Sequence, residues 1–253
     1  GYDFTDPGFQ EHMRKVYRDL RDAGMKGLMF DYPGTVWDEE GGLEDPHATT
    51  ANNYINVFRL AKEGLGEGSY VHERGIETGY DLALGWVDSQ RTEEDTADMP
   101  PEMVRKVGLR WYKNRVVTNY DMDSKDLMRA QSVDELRTLV TMAYAVSGRL
   151  LLANGFRNLT EEAIYALSRT YPQHSQKKSF RPVDAFLKKE YPQIYDYDVD
   201  EQWHQVIFYN GDRLHDQAIG VCFGQDRVSG GLGMEKDAAW YVYDFWNDQY
   251  IGR

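Results

Sequence analysis

One grammar repeats through residues 1–170 and limits what the chain can fold into: a short apolar run, a polar loop, then an amphipathic helix. The apolar runs fall at residues 1–4, 27–30, 69–72, 82–87, 116–119 and 150–153. Between them, Asp6 caps a helix that starts at Pro7, where the missing N–H costs nothing. Phe9, Met13, Val16, Tyr17 and Leu20 form its apolar stripe, and Gly24 ends it. A second helix is predicted over 48–63, with Tyr54, Val57, Phe58 and Ala61 turned inward. Others follow near Pro101, over 133–146 and from the Thr160 cap to Ser168, where Glu161 and Glu162 favour the helix dipole. Six strands alternating with helices predict parallel βαβ units with right-handed crossovers, closed as a barrel or open as a doubly wound sheet. No G-x-G-x-x-G or P-loop follows a strand, which disfavours nucleotide binding.

Beyond Pro172 the grammar changes. Apolar runs at 203–209, 218–223, 238–245 and 250–251 are separated by Asn-Gly, Gly-rich and Asn-Asp turns, which reads as antiparallel sheet. The polar stretch 174–181 is the expected boundary, giving a domain over 1–175 and another over 181–253. The net charge of −13 repels nucleic acid and anionic membrane surfaces, and Lys177, Lys178 and Arg181 read as a solvated loop. No apolar run approaches the length of a membrane span. Cys222 is the only cysteine, so no intrachain disulfide forms; among apolar neighbours it reads as a small buried hydrophobe. The six histidines lack ligand spacing and no G-x-S-x-G elbow occurs, so neither a metal, a cofactor nor a serine triad is expected.

Charged groups collect just after the strands: Asp31, Glu73, Arg91, Asp95 and Asp121. This is where βα-barrels put their chemistry. Such a set suits glycosidic-bond hydrolysis with retention, in which one carboxylate attacks the anomeric carbon and a carboxylic acid protonates the leaving oxygen. The competing reading is plain: an Asp after a strand is often a helix cap or turn former.

Several stretches resemble glycoside hydrolase families 27 and 36, the α-galactosidase-type enzymes. They are Asp3-Phe4-Thr5-Asp6-Pro7, Gly27-Leu28-Met29-Phe30-Asp31, Arg91-Thr92-Glu93-Glu94-Asp95, and Asn119 to Asp123 with residues 136–152 and 159–166. In the tail, Trp203-His204-Gln205-Val206 and Val242-Tyr243-Asp244-Phe245-Trp246 resemble the families' C-terminal β-sandwich. The resemblance implies an α/β fold, a (β/α)8 TIM barrel with strands three to eight present, followed by an antiparallel β-sandwich domain. It implies Asp31 as nucleophile and Asp95 as acid/base, with Glu73, Arg91 and Asp121 as sugar-binding residues. Asp123 is the other candidate for the position given to Asp121. Trp37, in the loop after the nucleophile, is the favoured stacking platform, ahead of Trp86 and Trp111.

Two departures matter. The families' Lys two residues before the nucleophile is Met29 here, and their disulfide positions correspond to Pro33 and His72. The sugar therefore stays open, as does the choice between hydrolysis of a terminal α-linked oligosaccharide or glycan and raffinose-synthase-type transfer. A non-catalytic carbohydrate-binding relative is the third reading. The chain opens at Gly1 and stops at Arg253 as if cut, so the first two barrel strands are expected from a preceding segment or another chain. Self-association is left open, and an extracellular or periplasmic location is weighed above a cytoplasmic one.

Overall fold

The computed structural model describes residues 1–37, 42–75, 81–92, 100–146, 150–172, 178–187 and 190–253. The chain divides into two compact units, Gly1–Phe180 and Arg181–Arg253.

The first unit is α/β. Helix α1 (Pro7–Asp22) starts where the Asp6 carboxylate accepts the Phe9 N–H, and Gly24 beyond its end takes a left-handed φ of 97°. Strand β1 (Gly27–Phe30) follows, then α2 (Thr50–Leu65), whose first turn is closed by a reciprocal capping box between Thr49 and Asn52. Strands β2 (Tyr70–Glu73), β3 (Ser89–Arg91) and β4 (Asn119–Asp121) complete a four-stranded sheet in the order β1-β2-β3-β4, every pair parallel. Helix α3 (Glu102–Leu109) lies between β3 and β4. The chain then bends at Asp123, with φ 59°, into β5 (Ser124–Lys125), which pairs in parallel with β6 (Leu151–Leu152) beyond α4 (Val133–Val146). Residues 119–125 thus serve two parallel ladders through one bend. Helix α5 (Glu161–Thr170) is capped by Thr160, whose hydroxyl accepts the Ala163 N–H. Among the described residues the six strands form no closed ring.

Three strand expectations shift. Residues 1–4 form no ladder; the Phe4 N–H instead donates to Asn53 Oδ1 at 2.5 Å. Residues 82–87 are turns carrying an isolated bridge, and the strand comes later as polar Ser89-Gln90-Arg91. The strand expected over 116–119 slides to Asn119–Asp121. An apolar run was the wrong sign for the middle strand, because both of its faces meet polar partners.

Helices α1 and α2 pack side by side over one face of β1 and β2, burying Tyr17, Val57, Phe58, Leu60 and Val71 with Leu28 and Phe30. Gly64 sits where the helices touch: a Cβ there would lie 2.4 Å from the Tyr17 Cβ and 3.2 Å from the Arg14 carbonyl.

The second unit holds an antiparallel sheet of β7 (Arg181–Pro182), β8 (Ile194–Asp200) and β9 (Trp203–Phe208), and a hairpin of β10 (Val242–Asp244) and β11 (Gln249–Gly252). Its core is Val183, Ile194, Leu232 and Met234. Residues 218–223 carry no strand, and Cys222 is exposed rather than buried. No helix among the described residues is long and apolar enough to cross a membrane.

Replacing Gly64 by Ala tests the helix contact. Helix propensity alone would favour Ala by about 1 kcal/mol. The Tyr17 clash reverses this, and urea unfolding should show a net loss of about 1–3 kcal/mol.

Candidate active site

Alternation along the parallel strands sorts the candidate residues onto two faces. Leu28 and Phe30 of β1, and Val71 of β2, point to the helices. Met29, between Leu28 and Phe30, is 54% exposed on the opposite, open face. Register pairs Met29 with His72, His72 with Ser89, and Arg91 with Asp121, so these side chains share the open side. Glu73, Gln90 and Tyr120 fall on the helix side with Phe30.

Asp31 follows β1 directly, and its carboxylate is 45% exposed. Its Oδ2 accepts from Arg74 Nη1 at 2.8 Å and its Oδ1 from the Tyr32 N–H at 3.1 Å. Arg74 turns its other edge to Asp123, with Nε and Nη2 at 3.2 and 2.9 Å from one Oδ2. Arg91 Nε lies 3.2 Å from that same oxygen. The Asp123 side chain is only 5% exposed, so two guanidinium groups compensate a carboxylate withdrawn from water. Beneath it, Asp121 Oδ1 accepts the Asp123 N–H at 2.8 Å, and Asp121 Oδ2 lies 3.7 Å from His72 Nε2. The Asp121 carbonyl accepts the Thr92 N–H at 2.9 Å, tying β4 to the end of β3.

The structure therefore gathers Asp31, Arg91 and Asp121 around Arg74 and Asp123, and leaves two candidates elsewhere. Glu73 is fully buried on the helix side, where its carboxylate accepts from the Tyr54 hydroxyl of α2 and from Gln90 Nε2. Trp37 is half-buried and packs edge-on against Tyr54, ring centres 6.1 Å apart, as part of the helix-side core. Asp121 is itself buried, below Asp123. Asp95 and the rest of residues 93–99 lie outside the described residues. Among the described residues no group of three His, Cys, Asp or Glu side chains could hold a metal ion.

Arg74 is the residue the sequence reading missed. The signal was available: if Val71 faces the helices, Glu73 must too, and Arg74 is then delivered to the open face. Met29 stands where the resemblance led to a Lys, and the cation beside Asp31 comes from the neighbouring strand.

Burial pushes the Glu73 carboxyl up to about 7, with Asp81 adding to the rise, against hydrogen bonds from Tyr54 and Gln90 that pull it down. The folded chain thus holds this proton more tightly than the unfolded chain does. This contribution is fully present below the ordinary carboxyl value of 4.5 and is lost as pH climbs through about 7. The loss amounts to at most about 3 kcal/mol. In Glu73→Gln, urea unfolding at pH 5 and 8 should show a smaller decline in stability with rising pH than the parent shows.

No protein-family profile matches the chain, and no curated protein matches it. Among solved structures it is similar to Arthrobacter globiformis T6 isomalto-dextranase complexed with panose, with a TM-score of 0.69 and 17% sequence identity. The likeness covers 99% of this chain and 46% of that one, so the chain spans less than half of the enzyme's length. At this identity the likeness is one of fold: the chain's arrangement is similar to part of that structure.

Proposed function

We propose that the chain carries the catalytic centre of a retaining exo-α-glycosidase. Its parallel strands would be strands four to eight of a (β/α)8 barrel, β4 and β5 together making the seventh, with the second unit as a β-sandwich appendage. The observation that carries the reading is the Asp31 carboxylate: accessible, at the C-terminal end of a parallel strand, on the open face, with the Arg74 guanidinium 2.8 Å away. In this reading Asp31 attacks the anomeric carbon as Asp95 protonates the departing glycosidic oxygen. The resulting glycosyl ester is opened by a water that Asp95 deprotonates, and the product keeps its anomeric configuration. The role of Asp95 rests on the family resemblance. Asp123, carrying both arginines, takes the place first given to Asp121 as the acidic group that organises the open face.

Terminal α-linked sugars are the substrate class. The isomalto-dextranase likeness adds dextran and panose to the α-galactosides that the sequence resemblance suggests. The test is a panel of aryl α-galactoside, α-N-acetylgalactosaminide, α-glucoside and β-L-arabinopyranoside with dextran and panose, with NMR of the first-formed anomer. At least one α-glycoside should be cleaved with the α-anomer appearing first. Asp31→Asn should lower kcat on the order of 10³-fold or more. Inversion, or an Asp31→Asn variant of parental activity, would sink the assignment.

A further inference from the structure

We infer that Arg74 is the positioning residue for the Asp31 carboxylate, and that the bend at Asp123 exists to hold Arg74. The inference rests on the reading of Asp31 as the nucleophile.

Asp31 lies at a strand end with nearly half of its side chain in solvent, where a carboxylate is free to rotate unless tied. Two ties are present, one on each oxygen. The Tyr32 N–H on Oδ1 comes from a residue with φ 53°, a conformation non-glycine residues rarely adopt. The second is Arg74 on Oδ2. Arg74 is itself placed from both ends. Its backbone N–H donates to the Phe30 carbonyl at 2.9 Å, extending the β1–β2 ladder by one bond and setting its Cα beside Asp31. Its guanidinium is gripped by the buried Asp123 through two N–H groups, which removes the rotational freedom of a long side chain.

Asp123 adopts the left-handed conformation between β4 and β5, and its N–H is held by the Asp121 carboxylate. A non-glycine residue in that region costs free energy, and such residues gather where the surrounding structure has a use for them. The use here is geometric: the bend brings one carboxylate oxygen within reach of Arg74 and Arg91 together. The arrangement runs from Asp121 through Asp123 and Arg74 to Asp31, from β4 to the end of β1.

The chemistry gives Arg74 work in both steps. In the first, the carboxylate must face the anomeric carbon in one orientation as the C–O bond to Asp31 forms and the bond to the leaving group breaks. In the second, the Asp31–sugar bond breaks and its electron pair returns to a carboxylate beside the Arg74 cation, while water supplies the oxygen.

Arg74→Ala, Arg74→Lys and Asp123→Asn are compared with the parent on the aryl α-glycoside that the parent turns over, with melting temperatures as the check of folding. Labelling of Asp31 by 5-fluoro-α-galactosyl and 5-fluoro-α-glucosyl fluoride is followed by peptide mass. Arg74→Ala should lose about 10²-fold in kcat, with KM changed far less, and should label Asp31 correspondingly slowly. Added guanidinium chloride at millimolar concentration should restore part of the Arg74→Ala rate and leave Asp31→Asn inactive. Arg74→Lys keeps the charge but loses the two-point grip of Asp123, and should fall about 10-fold; it carries the test if Arg74→Ala does not fold. Asp123→Asn should fall in kcat in the same sense. A folded Arg74→Ala, or failing it Arg74→Lys, that labels Asp31 at the parental rate overturns the positioning role alone. A parent labelled at a residue other than Asp31 overturns the glycosidase reading and this inference with it.

Discussion

The parallel ladder from β1 to β4 separates two chemistries by a single residue of register. Odd and even positions along these strands face opposite ways, so Leu28, Phe30 and Val71 seal the helices while His72, Ser89, Arg91 and Asp121 line the other side. A slip of one residue would push charges into the helix layer and expose the core apolar set to water. The α1–α2 contact at Gly64 supports this order, because it keeps both helices close enough to cover the same two strands. The identity of the open face is therefore a by-product of packing on the closed one.

The fate of adjacent residues illustrates the point. Glu73 and Arg74 are neighbours in sequence, yet one is entombed beneath α2 and the other reaches Asp31 across the open face. Burial without a cation drives the first carboxyl toward its neutral form. Asp123 is nearly as buried, but it is flanked by Arg74 and Arg91, so the cost of removing its charge from water is offset by two nearby positive groups. Two buried acids of one unit thus meet different surroundings, Glu73 from its position in β2 and Asp123 from the bend beyond β4.

The helical part of the fold was legible because its signals are local. Asp6, Thr49 and Thr160 cap helices, Gly24 follows one, and the apolar stripes fall on the buried sides. Strand β1 and the strand-end location of Asp31 were also readable from Gly27–Phe30. What escaped depends on partners distant in sequence. Ser89-Gln90-Arg91 carries no apolar signature, since its neighbours on both sides are polar. The alternating Tyr195-Asp196-Tyr197-Asp198 of β8 carries a period of two without an apolar run, whereas the apolar run 218–223 forms no strand. The bend at Asp123, which puts its carboxylate within reach of Arg74 and Arg91, is announced by no composition rule. Trp37, expected as a stacking platform because its loop follows Asp31, is half-buried and packs edge-on against Tyr54, a contact its position in sequence does not announce.

The exposure of Cys222 has a practical consequence. It is the only thiol in the sequence and it belongs to the second unit, so a maleimide dye attached there is a single-position reporter within Arg181–Arg253. The same thiol has no intramolecular mate, and under oxidising conditions its available disulfide partner within a pure preparation is another copy of the chain. Sedimentation or light-scattering measurements made without reductant would then count covalent pairs together with any association the folded surfaces produce, and the two separate on adding a phosphine.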